Sequence, residues 1–93
     1  MIKEKLTLKV ILPEGVLCEK ECDSVNVCIV DDKNGKGAGS YGIRRGHAKA
    51  VLCLSSGKVE AFDGEKSVFS KQTSGGFADI ENDVVSVVVD SVN

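Results

Sequence analysis

The sequence predicts an all-β domain, built as a two-sheet sandwich or flattened barrel. Apolar residues alternate with a period of two, and strand-length runs are separated by glycine-rich turns. No run shows the i, i+3, i+4, i+7 apolar spacing of an amphipathic helix. The 93 residues allow one small domain, residues 1–93.

The elements follow in order. Leu6–Leu12 carries apolar side chains at its even positions, and Pro13-Glu14-Gly15 reads as a turn. Val16–Cys22 and Ser24–Val30 are the next two strands. Asp31–Ser40 is polar and dense in glycine, and reads as a long surface loop. Beyond Gly42-Ile43-Arg44-Arg45-Gly46-His47, strands resume at Ala50–Leu54, Lys58–Phe62 and Ser67–Lys71. Asp63-Gly64 between the last two is a hairpin signal. Gly75-Gly76 within a strand pattern predicts a bulge or a close backbone crossing. Phe77–Ile80, the turn Glu81-Asn82-Asp83 and the β-branched run Val84–Val89 complete the chain. In that last strand Val85, Val87 and Val89 fall on one face, and Val84, Ser86 and Val88 on the other. Apolar residues on both faces predict that the outer one is covered by a partner or by the domain itself; scattered exposed valines are the plainer reading.

Composition excludes several functions. The formal net charge is −2 and there is no Trp, which speaks against a basic nucleic-acid binder. Apolar runs such as Val25–Val30 and Val84–Val89 are too short to cross a bilayer. The N-terminus, Met1 to Leu6, is charged where a signal peptide needs apolar residues, so the chain reads as mature, soluble and resident in a reducing compartment. Cys18, Cys22, Cys28 and Cys53 form no C-x-x-C pair, and with one histidine they read as buried, reduced structural thiols, not as zinc ligands. The acids Glu19, Glu21 and Asp23, and the pair Asp31-Asp32, lack a His or Cys to complete a metal site and read as solvated surface. Gly37-Ala38-Gly39-Ser40-Tyr41-Gly42 spells G-x-G-x-x-G, but no helix opens at its glycines, so it is not a dinucleotide fingerprint. His47 has no nucleophile or orienting acid beside it in sequence. No cofactor, metal or small-molecule substrate is expected.

Several phrases resemble the epsilon subunit of F-type ATP synthases, called delta in mitochondria. Leu8-Lys9-Val10-Ile11-Leu12-Pro13-Glu14-Gly15-Val16-Leu17 and Cys22-Asp23-Ser24-Val25-Asn26-Val27 are similar to that family's opening hairpin. Tyr41-Gly42-Ile43-Arg44-Arg45-Gly46-His47-Ala48 is similar to its G-I-x-P-G-H-A-P segment. Ser74-Gly75-Gly76-Phe77-Ala78-Asp79-Ile80 and Asn82–Asp90 resemble its S-G-G-F-x-E-V and x-N-x-V-T-V-L-A-D close. The matches keep family order from Leu6 to Asp90.

The resemblance implies a ten-stranded β-sandwich and a non-catalytic rotor part. Such a subunit binds gamma and the c-ring, coupling proton- or sodium-driven rotation to ATP synthesis. It implies a peripheral place on the cytoplasmic face of a bacterial membrane, or on an organellar inner membrane, without insertion into lipid. Tyr41, Arg44, Arg45 and His47 then belong to a ring-facing loop, with Leu52, Val84 and Val88 toward gamma. His47 as a plain turn residue is the competing assignment.

Three departures stand out. The family continues into an α-helical hairpin, whereas this sequence stops at Asn93. As a natural end, Asn93 leaves hydrolysis restraint by that hairpin absent; as a cut, it merely detaches it. The loop Asp31–Ser40 is longer than the family's link by roughly seven to eight residues. Both family prolines of the loop are replaced, by Arg45 and Lys49, which with Arg44 gather like charge that calls for an acidic or carbonyl-rich partner. The long loop and the missing prolines favour the alternative of a stand-alone β-sandwich binding module. An enzyme using His47 with Cys53 is the weakest alternative.

Overall fold

The computed structural model describes the backbone of residues 5–31 and 36–93, with side chains over 5–30 and 39–93. Residues 1–4 and 32–35 lie outside the described residues, as do the side chains of the acidic pair Asp31-Asp32. Among the described residues the strands are β1 (Leu6–Leu12), β2 (Gly15–Cys22), β3 (Ser24–Asp31), β4 (Lys36–Arg44) and β5 (Ala50–Leu54). They continue as β6 (Gly57–Asp63), β7 (Lys66–Thr73), β8 (Gly76–Glu81) and β9 (Val84–Val89). The all-β expectation holds, with nine strands in place of ten; past β9, Val92 contributes only an isolated bridge to Thr73.

The strands run in the order β2-β1-β9-β8-β5-β3-β6-β7, with β4 on the other edge of β3. Two halves result, β2-β1-β9-β8-β5 and β4-β3-β6-β7, joined by the single register pair Ile29–Leu54. On the opposite side β2 approaches β6 and β7, so the sandwich is a nearly closed, flattened barrel. Every pair is antiparallel except β1 with β9, where Leu8 meets Val85 and Val10 meets Val87.

Period-two alternation becomes burial. Leu6, Leu8 and Val10 of β1 are fully buried, as are Val25 and Val27 of β3 and Val85 and Val87 of β9. Ile43, Val59, Ala61, Phe69, Ala78 and Ile80 fill the space between the halves. Each buried Leu, Ile, Val or Phe among them contributes about 1.5–3 kcal/mol by leaving water, and each alanine less. In β2 a register shift opposite Val10 and Ile11 leaves Leu17 unpaired and exposed near the hairpin tip.

The reading of Asp31–Ser40 as loop needs correction. From Lys36 onward this stretch is the first half of β4, and the glycines of the G-x-G-x-x-G phrase lie in a strand. Small residues cannot fill a core, but they still make ladder hydrogen bonds. The opposite edge of β3 pairs with β6 at Ser24–Asn26 and with β5 at Ile29, and the Cys28 carbonyl there accepts Ser55 N–H. Pairing with β4 from Ser24 to Asp31 satisfies the backbone groups of the facing edge and overrides the weak strand propensity of glycine.

Gly76 marks a close backbone crossing and not a bulge, because β8 and β9 pair without a register shift. A Cβ there would stand 2.0 Å from the Val88 carbonyl oxygen. Gly76→Val must push the start of β8 away from the end of β9. We expect a loss of about 2–4 kcal/mol and a fall in Tm of roughly 10 °C or more, read by thermal denaturation; an unchanged Tm would contradict the crossing.

The four cysteines are free. Burial, reinforced by the carboxylates of Asp23 and Asp63, pushes the Cys22 thiol up, and burial does the same for Cys18. Cys53 is exposed, against the expectation of burial. Alkylation followed by mass spectrometry should therefore modify Cys53 first and Cys22 only on unfolding; early modification of Cys22 would contradict this packing.

Candidate interface loop and sheet face

β4 ends at Arg44, and the chain reverses at once. His47 N–H donates to the Arg44 carbonyl at 3.3 Å, and Gly46 has φ +84°. Arg44-Arg45-Gly46-His47 is therefore a type II turn, with glycine at the position that requires positive φ. Arg45 sits where proline would preset the backbone, so the turn lacks that restraint.

Tyr41 packs its ring against the core and sends its hydroxyl to the turn. The Ala48 carbonyl oxygen can only accept, so at 2.7 Å it receives the proton of His47 Nδ1. In the neutral imidazole, Nε2 then accepts the Tyr41 hydroxyl, also at 2.7 Å. The rings meet edge-to-face with centroids 5.7 Å apart. His47 is thus half-buried and locked, while Arg44 and Arg45 are exposed. The structure brings these four residues together.

The neighbouring β8–β9 turn supplies polar contacts that the sequence did not mark. Asn82 and Asp83 both have positive φ, 51° and 63°, between the paired Glu81 and Val84, which makes a type I′ turn. The Asp83 carboxylate accepts the Gly46 N–H at 2.7 Å, and its backbone carbonyl accepts Thr7 N–H at 2.9 Å. Lys49 pairs with Glu81 at 3.7 Å. The charge gathered by Arg44, Arg45 and Lys49 is thus partly answered within the chain.

Lys5 completes this end of the sandwich by pairing with Asp63 and, at 3.9 Å, with Asp23. Its hydrogen bond holds the Asp63 carboxyl below the usual carboxylate range, and Lys5 is raised in turn. For Asp63, the stability is present above the unfolded carboxylate pKa and is lost as pH falls through the lowered value. For Lys5, it is present below the unfolded ammonium pKa and is lost as pH rises through the raised one. Both groups are exposed, so salt screens the pair.

The outer face of β2-β1-β9-β8-β5 carries a second feature. The register places Cys53, Phe77, Val88, Ile11 and Val16 in one row across five strands. Phe77 is 45% and Val16 57% exposed, with Val88 and Ile11 half-buried between them. Val84 shares this face, beside a shallow depression lined by Asp79, Glu81, Asn82 and Ser86. Leu52 does not share it: its pairing with Ala78 turns it inward, against the core, and Val51 and Cys53 take the outer positions of β5. Among the described residues no cluster of His, Cys, Asp or Glu could hold a metal ion.

Nitrogen-15 spectroscopy of the imidazole at mildly alkaline pH should find Nδ1 protonated and Nε2 of the pyridine type. Tyr41→Phe should shift the Nε2 resonance and leave the Nδ1 proton in place. The opposite tautomer would overturn the arrangement described.

Comparison with known proteins agrees with this architecture. The family described as ATP synthase, Delta/Epsilon chain, beta-sandwich domain, matches residues 5–93. An ATP synthase epsilon chain of Leptospira borgpetersenii serovar Hardjo-bovis (strain JB197) is 33% identical over 90 residues, covering 97% of this chain and 65% of that protein. The present chain thus spans just under two-thirds of that relative's length. A chain in the cryo-EM structure of Euglena gracilis mitochondrial ATP synthase, with OSCP, F1 and c-ring in rotational state 1, superposes with a TM-score of 0.75 at 18% identity. That match covers 100% of this chain and 55% of the other. A chain in the Tetrahymena thermophila mitochondrial ATP synthase central stalk and c-ring gives a TM-score of 0.71 at 11% identity, covering 100% and 69%. These two likenesses carry the fold, while the family match carries kinship. The chain belongs to the ATP synthase delta/epsilon family, as its β-sandwich domain.

Proposed function

We propose that this chain is the β-sandwich part of a non-catalytic central-stalk subunit of an F-type ATP synthase, fastening gamma to the c-ring. The observation that carries this reading is the apolar row Cys53–Phe77–Val88–Ile11–Val16. A solvated antiparallel face alternates apolar and polar positions, with its outward side chains polar. Here one outward row is apolar across all five strands, although the neighbouring outward row Asp79–Ser86–Lys9–Glu19 is polar, and an unbroken apolar row marks a covered strip of the face. That band is the gamma side, with Val84 and Val88 on its face. The turn bearing Arg44, Arg45 and His47, fixed by Tyr41, is the ring side.

Torque transmission asks for area and shape, not for reactive groups. A standard interface buries about 800 Å² on each partner. Attachment to the membrane is indirect, through the ring, on the cytoplasmic face in a bacterium or on the inner membrane of an organelle. No helix among the described residues is long and apolar enough to cross a membrane.

Native mass spectrometry with the cognate gamma subunit across a salt series tests the reading. A one-to-one complex that survives moderate salt is expected, as is binding weakened roughly ten- to hundredfold by Phe77→Ser, since anchors near an interface centre dominate affinity. Phe77 is already half-exposed, so the variant should keep its fold. A folded protein that ignores gamma at every salt concentration would favour a stand-alone binding module.

A further inference from the structure

We infer that Asp83 is a positioning residue for the ring-side turn, holding it in the docking geometry that a stiffer backbone would otherwise provide. The inference rests on the assignment of Arg44–His47 to that docking surface. A type II turn with Arg at its second position has no fixed φ there, and its own closing hydrogen bond is long, at 3.3 Å. By itself such a turn samples other conformations.

The turn is instead held from outside. Gly46 N–H lies at the tip and points to the Asp83 carboxylate at 2.7 Å, a short, charge-assisted bond. Asp83 is in turn immobile for two reasons. It occupies the second centre of a type I′ turn locked by the Glu81–Val84 pair, and its carbonyl takes Thr7 N–H from β1. The bond therefore ties the turn to the most deeply packed strands of the sandwich. The Lys49–Glu81 pair restrains the far side of the same loop, but both its side chains are well exposed and its hold is weaker. Tyr41 fixes the His47 side chain, and Asp83 fixes the backbone from which that side chain and those of Arg44 and Arg45 project.

The positive φ of Asp83 makes a clean test possible. Asn and Gly both tolerate that backbone, so Asp83→Asn and Asp83→Gly should each fold with nearly unchanged Tm. Asn keeps an oxygen acceptor for Gly46, whereas Gly removes it. Hydrogen exchange of the Gly46 amide in the full chain is measured first, followed by binding to purified cognate c-ring in detergent, with His47→Ala as the reference. Asp83→Gly should accelerate Gly46 exchange about tenfold or more and weaken ring binding about tenfold, and Asp83→Asn should recover most of both.

Persistent protection of Gly46 in Asp83→Gly would overturn the clamp. Lost protection with undiminished ring binding, while His47→Ala weakens it, would overturn the positioning role alone. If neither Asp83→Gly nor His47→Ala changes ring binding, the docking assignment falls and the positioning role falls with it.

Discussion

β9 is the strand on which the sandwich depends. It is the middle strand of the larger half, bonded to β1 on one edge and β8 on the other. Its parallel pairing with β1 joins the opening hairpin to the rest of the sheet and sets Leu8 against Val85 and Val10 against Val87 in the interior. A sheet this small cannot lose a central strand, because a domain of this size has little apolar burial to spare. The same strand presents Val84 and Val88 outward, so it serves the core with one face and the apolar band with the other.

The polar end of the molecule follows from that arrangement. Because β9 begins beside Thr7, the turn before it lies at the mouth of the sandwich, next to the end of β4. Glu81 and Asp83 are thereby delivered to the segment that carries Arg44, Arg45, His47 and Lys49. A basic loop and an acidic turn, far apart in sequence, become one polar surface. Two hydrogen bonds fix the imidazole of His47, so its direction is set by Tyr41 and Ala48 and not by a free rotor.

Much of this was legible in the residues. Ala50–Leu54 and Val84–Val89 are strands with the bounds that their apolar runs and turn neighbours imply, and the hairpin signalled by Asp63-Gly64 closes over Gly64-Glu65. The two faces of β9 could be assigned by parity alone. What could not be read were the features that depend on pairing. β4 as a whole went unread in the glycine-rich composition of Lys36–Arg44, since the facing edge of β3, and not side-chain hydrophobicity, draws it into the sheet. The phase of β5 was hidden for a related reason. Val51, Leu52, Cys53 and Leu54 are all apolar, so nothing in the string distinguishes inward from outward, and the pairing with Ala78 decides that Leu52 turns in. Asp83 was unremarkable in a turn of polar residues, and its role emerges only where that turn meets Gly46.

The meeting of β1 with β9 also governs the order in which the molecule can assemble. Hairpins β1–β2, β3–β4, β6–β7 and β8–β9 close over short stretches of chain and can form as they emerge from the ribosome. The β1–β9 ladder joins segments separated by nearly the entire domain, so its loop-closure entropy comes due last. Until then Leu6, Leu8 and Val10 have no permanent partner on that side, and a nascent chain carries an apolar edge open to misassociation. Protection during synthesis therefore falls to whatever reaches that edge before β9 does.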